Sequence, residues 1–335
     1  MSIQYTVTGK TDVGLVRPGN EDTLHMDRHN HVYAVCDGMG GHQAGEVASM
    51  TASEVLRRVF TSFSMQLLSD PSLSIGRPLP ASGELLLKAI RLANRGIHNM
   101  ALQNSGRSGM GTTVVAVALE SDLLSIAHVG DSRAYRLDQQ KLVPLTTDHS
   151  WATEIQQNQS LSREEAEQVV GKNIITRALG VRENVEVDYR LMRVKPGDTF
   201  MLCSDGLCGF ADDDEIFQVA RRSRDDLERM TKDLVQMAND RGGADNVTVI
   251  ALRIDSVDST DLPEVDPFTL PNETPEILAA ADNFLEKINA AGDADPDDSL
   301  SNDTEAQPPK KTWLVLIFVL FAIVAAWLMF QAEGQ

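Results

Sequence analysis

Four aspartates stand at the ends of apolar runs, each beside a residue suited to a sharp turn. They are Asp37–Gly38 after residues 32–36, Gly130–Asp131 after 126–129, Asp205–Gly206 after 200–203, and Asp245–Asn246 ahead of 247–254. Aspartate is depleted in strands and common in turns, so any one of these pairs implies a turn and nothing more. Four at the ends of runs that can share sheets imply a common purpose. If folding brings those ends together, several carboxylates meet with no basic residue adjacent in sequence, and charges so close stay ionised only with cations between them. An all-oxygen donor set without His or Cys clusters suits Mg²⁺ or Mn²⁺ and matches zinc poorly. Two such ions roughly 3.5–4 Å apart can hold a bridging water, lower its pKa and stabilise an in-line displacement at phosphorus. The expected chemistry is phosphate-ester hydrolysis with hydroxide as nucleophile.

The elements that must position these residues are short. β-like runs at 4–13, 31–36, 112–119, 123–129, 133–137, 185–194, 199–203 and 247–254 alternate with Gly and Asp turns, which predicts stacked sheets. Helical period appears at Val47, Met50, Val55 and Val59, and again at Leu85, Leu86, Ala89, Ile90, Ala93 and Ile97. The segment 69–83 between them carries Pro71, Pro78 and Pro80 and reads as a loop. A later helix fits 225–239.

The chain of 335 residues is long enough for a full-sized core, and its formal charge of −19 excludes a partner held through a phosphate backbone. Cys36, Cys203 and Cys208 lack metal-ligand spacing and are expected to be buried and reduced. The first ten residues carry no secretory signature, so the catalytic part is expected in the cytosol.

Three zones follow from composition. Residues 1–254 hold nearly all the regular periodicity and form the expected catalytic domain. Residues 255–309 are rich in Asp, Glu and Pro and read as a flexible acidic linker. Within it, 275–290 could form a helix with Pro275 at its first position and Ile277, Phe284, Leu285 and Ile288 on one face. A transient helix in a solvated tail is favoured over a docking element. Residues 310–335 form a C-terminal anchor: 313–330 is apolar and uncharged, about 27 Å long as a helix, with Trp313 and Trp327 near its ends and Lys310–Lys311 before it. The expectation is a single-pass protein of the cell membrane with its catalytic domain in the cytoplasm.

Six motifs in order resemble the metal-dependent PPM-type (PP2C-like) protein Ser/Thr phosphatase family over nearly all of residues 1–254. They are Gly14 to Asp22, with Arg17, Asn20 and Glu21; Asp37-Gly-Met-Gly-Gly-His42; Gly109 to Thr113; Val129-Gly-Asp131-Ser-Arg133; Ser204-Asp205-Gly206; and Gly243 to Thr248. The resemblance implies an α+β fold, a central β-sandwich of two antiparallel sheets flanked by helix pairs (α-β-β-α), with two Mn²⁺ or Mg²⁺ ions at one end and a third in bacterial relatives. By motif, Asp37 resembles the bridging ligand, the Gly38 carbonyl a further ligand, and Asp205 and Asp245 the ligands completing the pair. Asp131 resembles the ligand of the third ion, and Asp22 and Glu21 the carboxylates that orient metal-bound water. Arg17 resembles the residue that grips the substrate phosphate, a task suited to a planar fork of donors.

One departure concerns the general acid. Some eukaryotic relatives have a histidine two positions after the first metal-binding aspartate, where Met39 stands here; His42 is the substitute, with helix capping as its other reading. Residues 148–172 resemble the family's variable flap, expected to influence substrate choice; Ser162 and Glu165 within it form a helix-starting box. The function implied is hydrolysis of phosphoserine or phosphothreonine on proteins, opposing a Ser/Thr kinase near the membrane. The alternatives are a catalytically inactive phosphoprotein-binding membrane scaffold, or a hydrolase of small phosphate esters.

Overall fold

The computed structural model describes residues 3–291 apart from 42, 160–161, 163–164, 167–169, 172–173 and 260–264. The expected membrane helix at 313–330 and residues 292–309 of the acidic stretch lie outside the described residues. Among those described, no helix is long and apolar enough to cross a membrane.

Two antiparallel sheets stack face to face. The first runs β1 (Ile3–Asp12), β11 (Val247–Val257), β10 (Thr199–Cys203), β7 (Arg133–Leu137), β8 (Leu142–Pro144). The second runs β12 (Phe268–Leu270), β9 (Val187–Arg193), β6 (Leu123–Val129), β5 (Val114–Glu120), β3 (Val32–Met39), β2 (Asp22–Asp27), with β4 (Gly111–Thr112) paired to the end of β3. The period-2 alternation of β3 divides its side chains between two cores. Tyr33 and Val35 pack between the sheets with Val117, Phe200 and Leu252, while Val32, Ala34 and Cys36 face the helices. With both faces covered, such strands read as continuous apolar runs instead of alternating ones, which is why they stand out in the sequence.

Helices α1 (Ala44–Arg58), α2 (Ser64–Ser69) and α3 (Ala81–Gln103) belong to the second sheet's side, and α1 runs into one π-helical turn, Val59–Phe63, that buries Val59, Phe60 and Phe63. α4 (Trp151–Gln159) opens the flap region. The short α5 (Asp205–Cys208), then α6 (Asp213–Arg222) and α7 (Leu227–Asp240), cover the first sheet with Ile216, Phe217, Leu234 and Val235 against Cys203 and Val249. The four-layer α-β-β-α arrangement matches the expectation. The three cysteines are free and buried, also as expected.

The expected linker differs from what the chain does over its first half. A helix, α8 (Pro275–Ala290), packs against α3 and buries Leu278, Ala281, Phe284, Leu285 and Ile288, so the compact unit extends to Ala290 instead of ending at residue 254. Phe284 meets Phe63 edge-on at 5.9 Å, and Asp282 takes two bonds of 2.6 Å from the Arg95 guanidinium and one from Asn99. Ahead of the helix, β12 adds to β9 at the edge of the second sheet. A solvated helix of this length is marginal, but burying five apolar side chains offsets its ordering entropy.

Candidate metal centre

Strand β3 delivers Asp37 to the open end of the sandwich, directly opposite Asp22 of β2. The Asp37 backbone is held from both sides: its N–H donates to Thr113 Oγ1 (3.1 Å), and its carbonyl accepts from the Thr113 N–H (2.8 Å) and the Thr112 hydroxyl (2.9 Å). One residue on, a Cβ at Gly38 would lie 2.2 Å from the Gly45 carbonyl oxygen and 2.5 Å from that of Glu21, so only glycine lets β3 pass the start of α1 so closely. Gly206 is needed likewise, where a Cβ would collide with the Asn246 carbonyl at 1.8 Å. Asp205 opens α5, Asp131 is buried after the Gly130 turn, and Asp245 precedes β11.

These residues share one cavity of about 620 Å³, lined by Arg17, Glu21, Asp37, Gly38, Met39, Asp131, Asp205 and Asp245 among others. Asp22 lies beneath it. Its Oδ2 accepts from the Ser204 hydroxyl (2.8 Å) and the Thr248 hydroxyl (2.7 Å), while Oδ1 is buried without a hydrogen-bond partner. The single described cation on the cavity wall close to these acids is Arg17, whose Nη2 is 2.8 Å from Asp245 Oδ2.

So many acids with so little positive charge on the cavity wall leave a mark on proton affinity. Burial pushes Asp22 up to about 7, with the charges of Asp205 and Asp245 adding to it and the bonds from Thr248 and Ser204 opposing. Burial, then the charges of Asp205 and Asp148, takes Asp131 to about 7 as well. Asp37 is raised well above the carboxylate range by burial and by Asp22, Asp205 and Asp131, and Asp205 is raised by burial and by Asp245. Without cations the cage retains protons; hard divalent ions would release them. The donor set, all oxygen with one orphaned carboxylate oxygen, fits Mn²⁺ or Mg²⁺.

Asn246 is the organiser that sequence reasoning passed over. Its Oδ1 accepts from the Glu21 N–H (2.8 Å) and its Nδ2 donates to the carbonyls of Val13 and Gly19 (2.9 Å each), which fastens the Arg17 loop to the Asp245 turn. Its place in the motif beside Asp245 was the available signal. Ser204 and Thr248 were also missed as holders of Asp22. His42 lies outside the described residues, and no histidine is among the described residues lining the cavity. Among the described residues, the one group of three metal-capable side chains with ligand atoms within 4.8 Å of one another is His128, His149 and Asp188, none of which lines this cavity. The carboxylates around the cavity are spread more widely than that, a spacing that would suit two ions with backbone carbonyls and waters between them.

A cation-hungry cavity of oxygen donors at the end of a helix-flanked β-sandwich defines a class of metal-dependent phosphohydrolase. The chain belongs to the protein phosphatase 2C family, whose model matches residues 18–249. It is 36% identical to the serine/threonine phosphatase stp of Listeria monocytogenes over 251 residues, 73% of this chain and 94% of that one. Its fold is similar to the serine/threonine phosphatase PstP/Ppp of Mycobacterium tuberculosis, with a TM-score of 0.64 and 30% identity, covering 75% of this chain and 99% of that one. A catalytic domain of PstP in complex with two manganese ions also matches, with a TM-score of 0.64 and 29% identity over 76% of this chain and 100% of that one.

Proposed function

We propose that this chain removes phosphate from phosphoserine and phosphothreonine in proteins, with Asp37, the Gly38 carbonyl, Asp205 and Asp245 holding two Mn²⁺ or Mg²⁺ ions and Asp131 a third. The observation that carries the proposal is the group of carboxylates gathered at one cavity and raised together in proton affinity, with Arg17 the one described cation on the cavity wall. Bound divalent ions supply a nucleophilic water at neutral pH and offset charge on the phosphoryl oxygens.

The protein's own part is positioning. Asp22, fixed by Ser204 and Thr248, and Glu21, fixed through Asn246, turn acceptors toward the water that attacks. Arg17, side chain 47% exposed at the mouth, exchanges Asp245 for the substrate phosphate and orients it for in-line attack. His42 is proposed to return a proton to the departing alkoxide.

The tail at 313–330 is read as a single-pass anchor that keeps the catalytic domain on the cytoplasmic face of the cell membrane, near a Ser/Thr kinase and its targets. The supporting features are its uncharged length, its terminal tryptophans and the preceding lysines. The test is phosphate release from phosphothreonine peptides by the purified chain with added Mn²⁺. Turnover of small phosphate esters alone would favour a metabolite hydrolase, and no turnover of either would favour the scaffold.

A further inference from the structure

The cluster of His128, His149 and Asp188 beside the active site resembles a metal site, yet both ring nitrogens of His149 are already engaged. The Gly130 N–H donates to His149 Nδ1 at 3.1 Å, which occupies the one lone pair of a neutral imidazole. His149 Nε2 therefore carries the proton and donates to Asp188 Oδ2 at 3.2 Å. His149 keeps no lone pair for an ion, and the Arg177 guanidinium stands 3.2 Å from Asp188 Oδ1 and 3.3 Å from His149 Nε2.

What the cluster joins is more informative. Gly130 is the positive-φ residue immediately before Asp131. Its carbonyl also accepts from the His149 N–H (2.9 Å), so backbone and side chain of one residue grip one turn. On the other side of Asp131, Arg133 makes a two-pronged bond to Asp148 (2.7 and 2.6 Å). The His149 carbonyl then accepts from the Thr176 N–H (2.8 Å), and Ser150 bridges to Ile175, which closes the root of the flap. Asp188 lies in β9 opposite Thr269 of β12, whose hydroxyl donates to Oδ1 at 2.8 Å. The stacked ring of His128, 4.6 Å away, covers the face of His149.

We infer that His149 is a positioning residue, locked in one tautomer by Asp188, that ties the Asp131 turn to the flap root and, through Thr269, to the C-terminal strand β12. The inference deepens the phosphatase reading and rests on it, since Asp131 matters only if the cage binds cations. It gives the segment after residue 254 a route to the active site: Thr269 holds Asp188, Asp188 fixes the imidazole, and the imidazole holds Gly130.

The experiment compares His149→Leu, His149→Asn and Asp188→Asn in the full chain. Asn places an oxygen where Nδ1 stands and can still accept from the Gly130 N–H; Leu cannot. Amide hydrogen exchange at Gly130 should speed up at least tenfold in His149→Leu and stay within about threefold of wild type in His149→Asn. Equilibrium Mn²⁺ binding should show the weakest class of site loosened about tenfold in His149→Leu and Asp188→Asn, with partial recovery in His149→Asn. In Asp188→Asn the imidazole ¹⁵N spectrum should lose its single-tautomer signature. The inference is overturned if all three variants share the same exchange rate at Gly130, or if Mn²⁺ binding is unchanged while only thermal stability drops. Wild-type protein that binds no Mn²⁺ at all would instead remove the phosphatase reading.

Discussion

Arg17 Nη2 and Asp245 Oδ2 lie 2.8 Å apart across the mouth of the acidic cavity, although 228 residues separate them in sequence. The bond raises the proton affinity of an arginine already charged at any physiological pH, so its role is one of placement. With its side chain 47% exposed, the guanidinium can turn to an incoming phosphate without a buried cost.

Arg17→Ala is therefore expected to raise KM for a phosphothreonine peptide about tenfold, about 1.4 kcal/mol, with a smaller change in kcat. Steady-state kinetics at saturating Mn²⁺ checks this. A loss confined to kcat would place Arg17 in the chemical step instead.

Asp37 faces Asp22 across the strand pair, and the charges of Asp22, Asp205 and Asp131 converge on it. Asp37→Asn should lower kcat/KM on the order of a thousandfold, because an amide would supply no charge to the cations that Asp37 is proposed to hold. The matching loss of Mn²⁺ affinity is to be read by calorimetry. Full turnover in this variant would remove Asp37 from the ligand set.

Proton linkage gives a test without substrate. Asp22 and Asp131 release their protons near pH 7 in the folded, metal-free protein and near 3.9 when unfolded. The fold binds more protons than the unfolded chain across that window, so this pair makes the chelated protein less stable as pH rises from 4 to 7. Buried His128, lowered to about 4, acts in the opposite direction between pH 4 and 6.5. The difference between wild type and Asp22→Asn isolates the carboxylate: the variant's advantage in thermal unfolding midpoint, measured in chelator, should grow from pH 5 to pH 7.5. Mn²⁺ at a hundredfold excess over its Kd should add about 2.7 kcal/mol to the wild type.

The docked C-terminal helix predicts a stability cost where a flexible linker would predict none. Phe284 is 2% exposed and stacks edge-on with Phe63. Phe284→Ala should cost roughly 3 kcal/mol, visible as a drop of several degrees in the unfolding midpoint. An unchanged midpoint would mean that α8 does not hold to the domain.

How much of this was legible in the sequence follows from which signals are local. Strands such as β6 and β10 were read within a residue or two because burial on both faces makes them apolar throughout. β2, Asp-Thr-Leu-His-Met-Asp, escaped notice: polar residues occupy four of its six positions, and one of them, Asp22, belongs to the site. α6 was also missed, although the Asp212–Glu215 capping box announces it. α8 was undervalued because the acidic composition of 255–309 was averaged over a 16-residue helix whose partner, Arg95, lies 187 residues away. The four aspartates were visible because each stands beside one end of an apolar strand. The roles of Asn246, Ser204 and Thr248 were not, because their bonds to the first 22 residues span 182 to 233 positions of the chain.

The most direct test of the cage is anomalous diffraction from a crystal grown with Mn²⁺. Two strong peaks bounded by Asp37, the Gly38 carbonyl, Asp205 and Asp245, with a weaker third at Asp131, are the predicted result. An empty cavity with those oxygens turned away from one another, or manganese bound elsewhere, would contradict it.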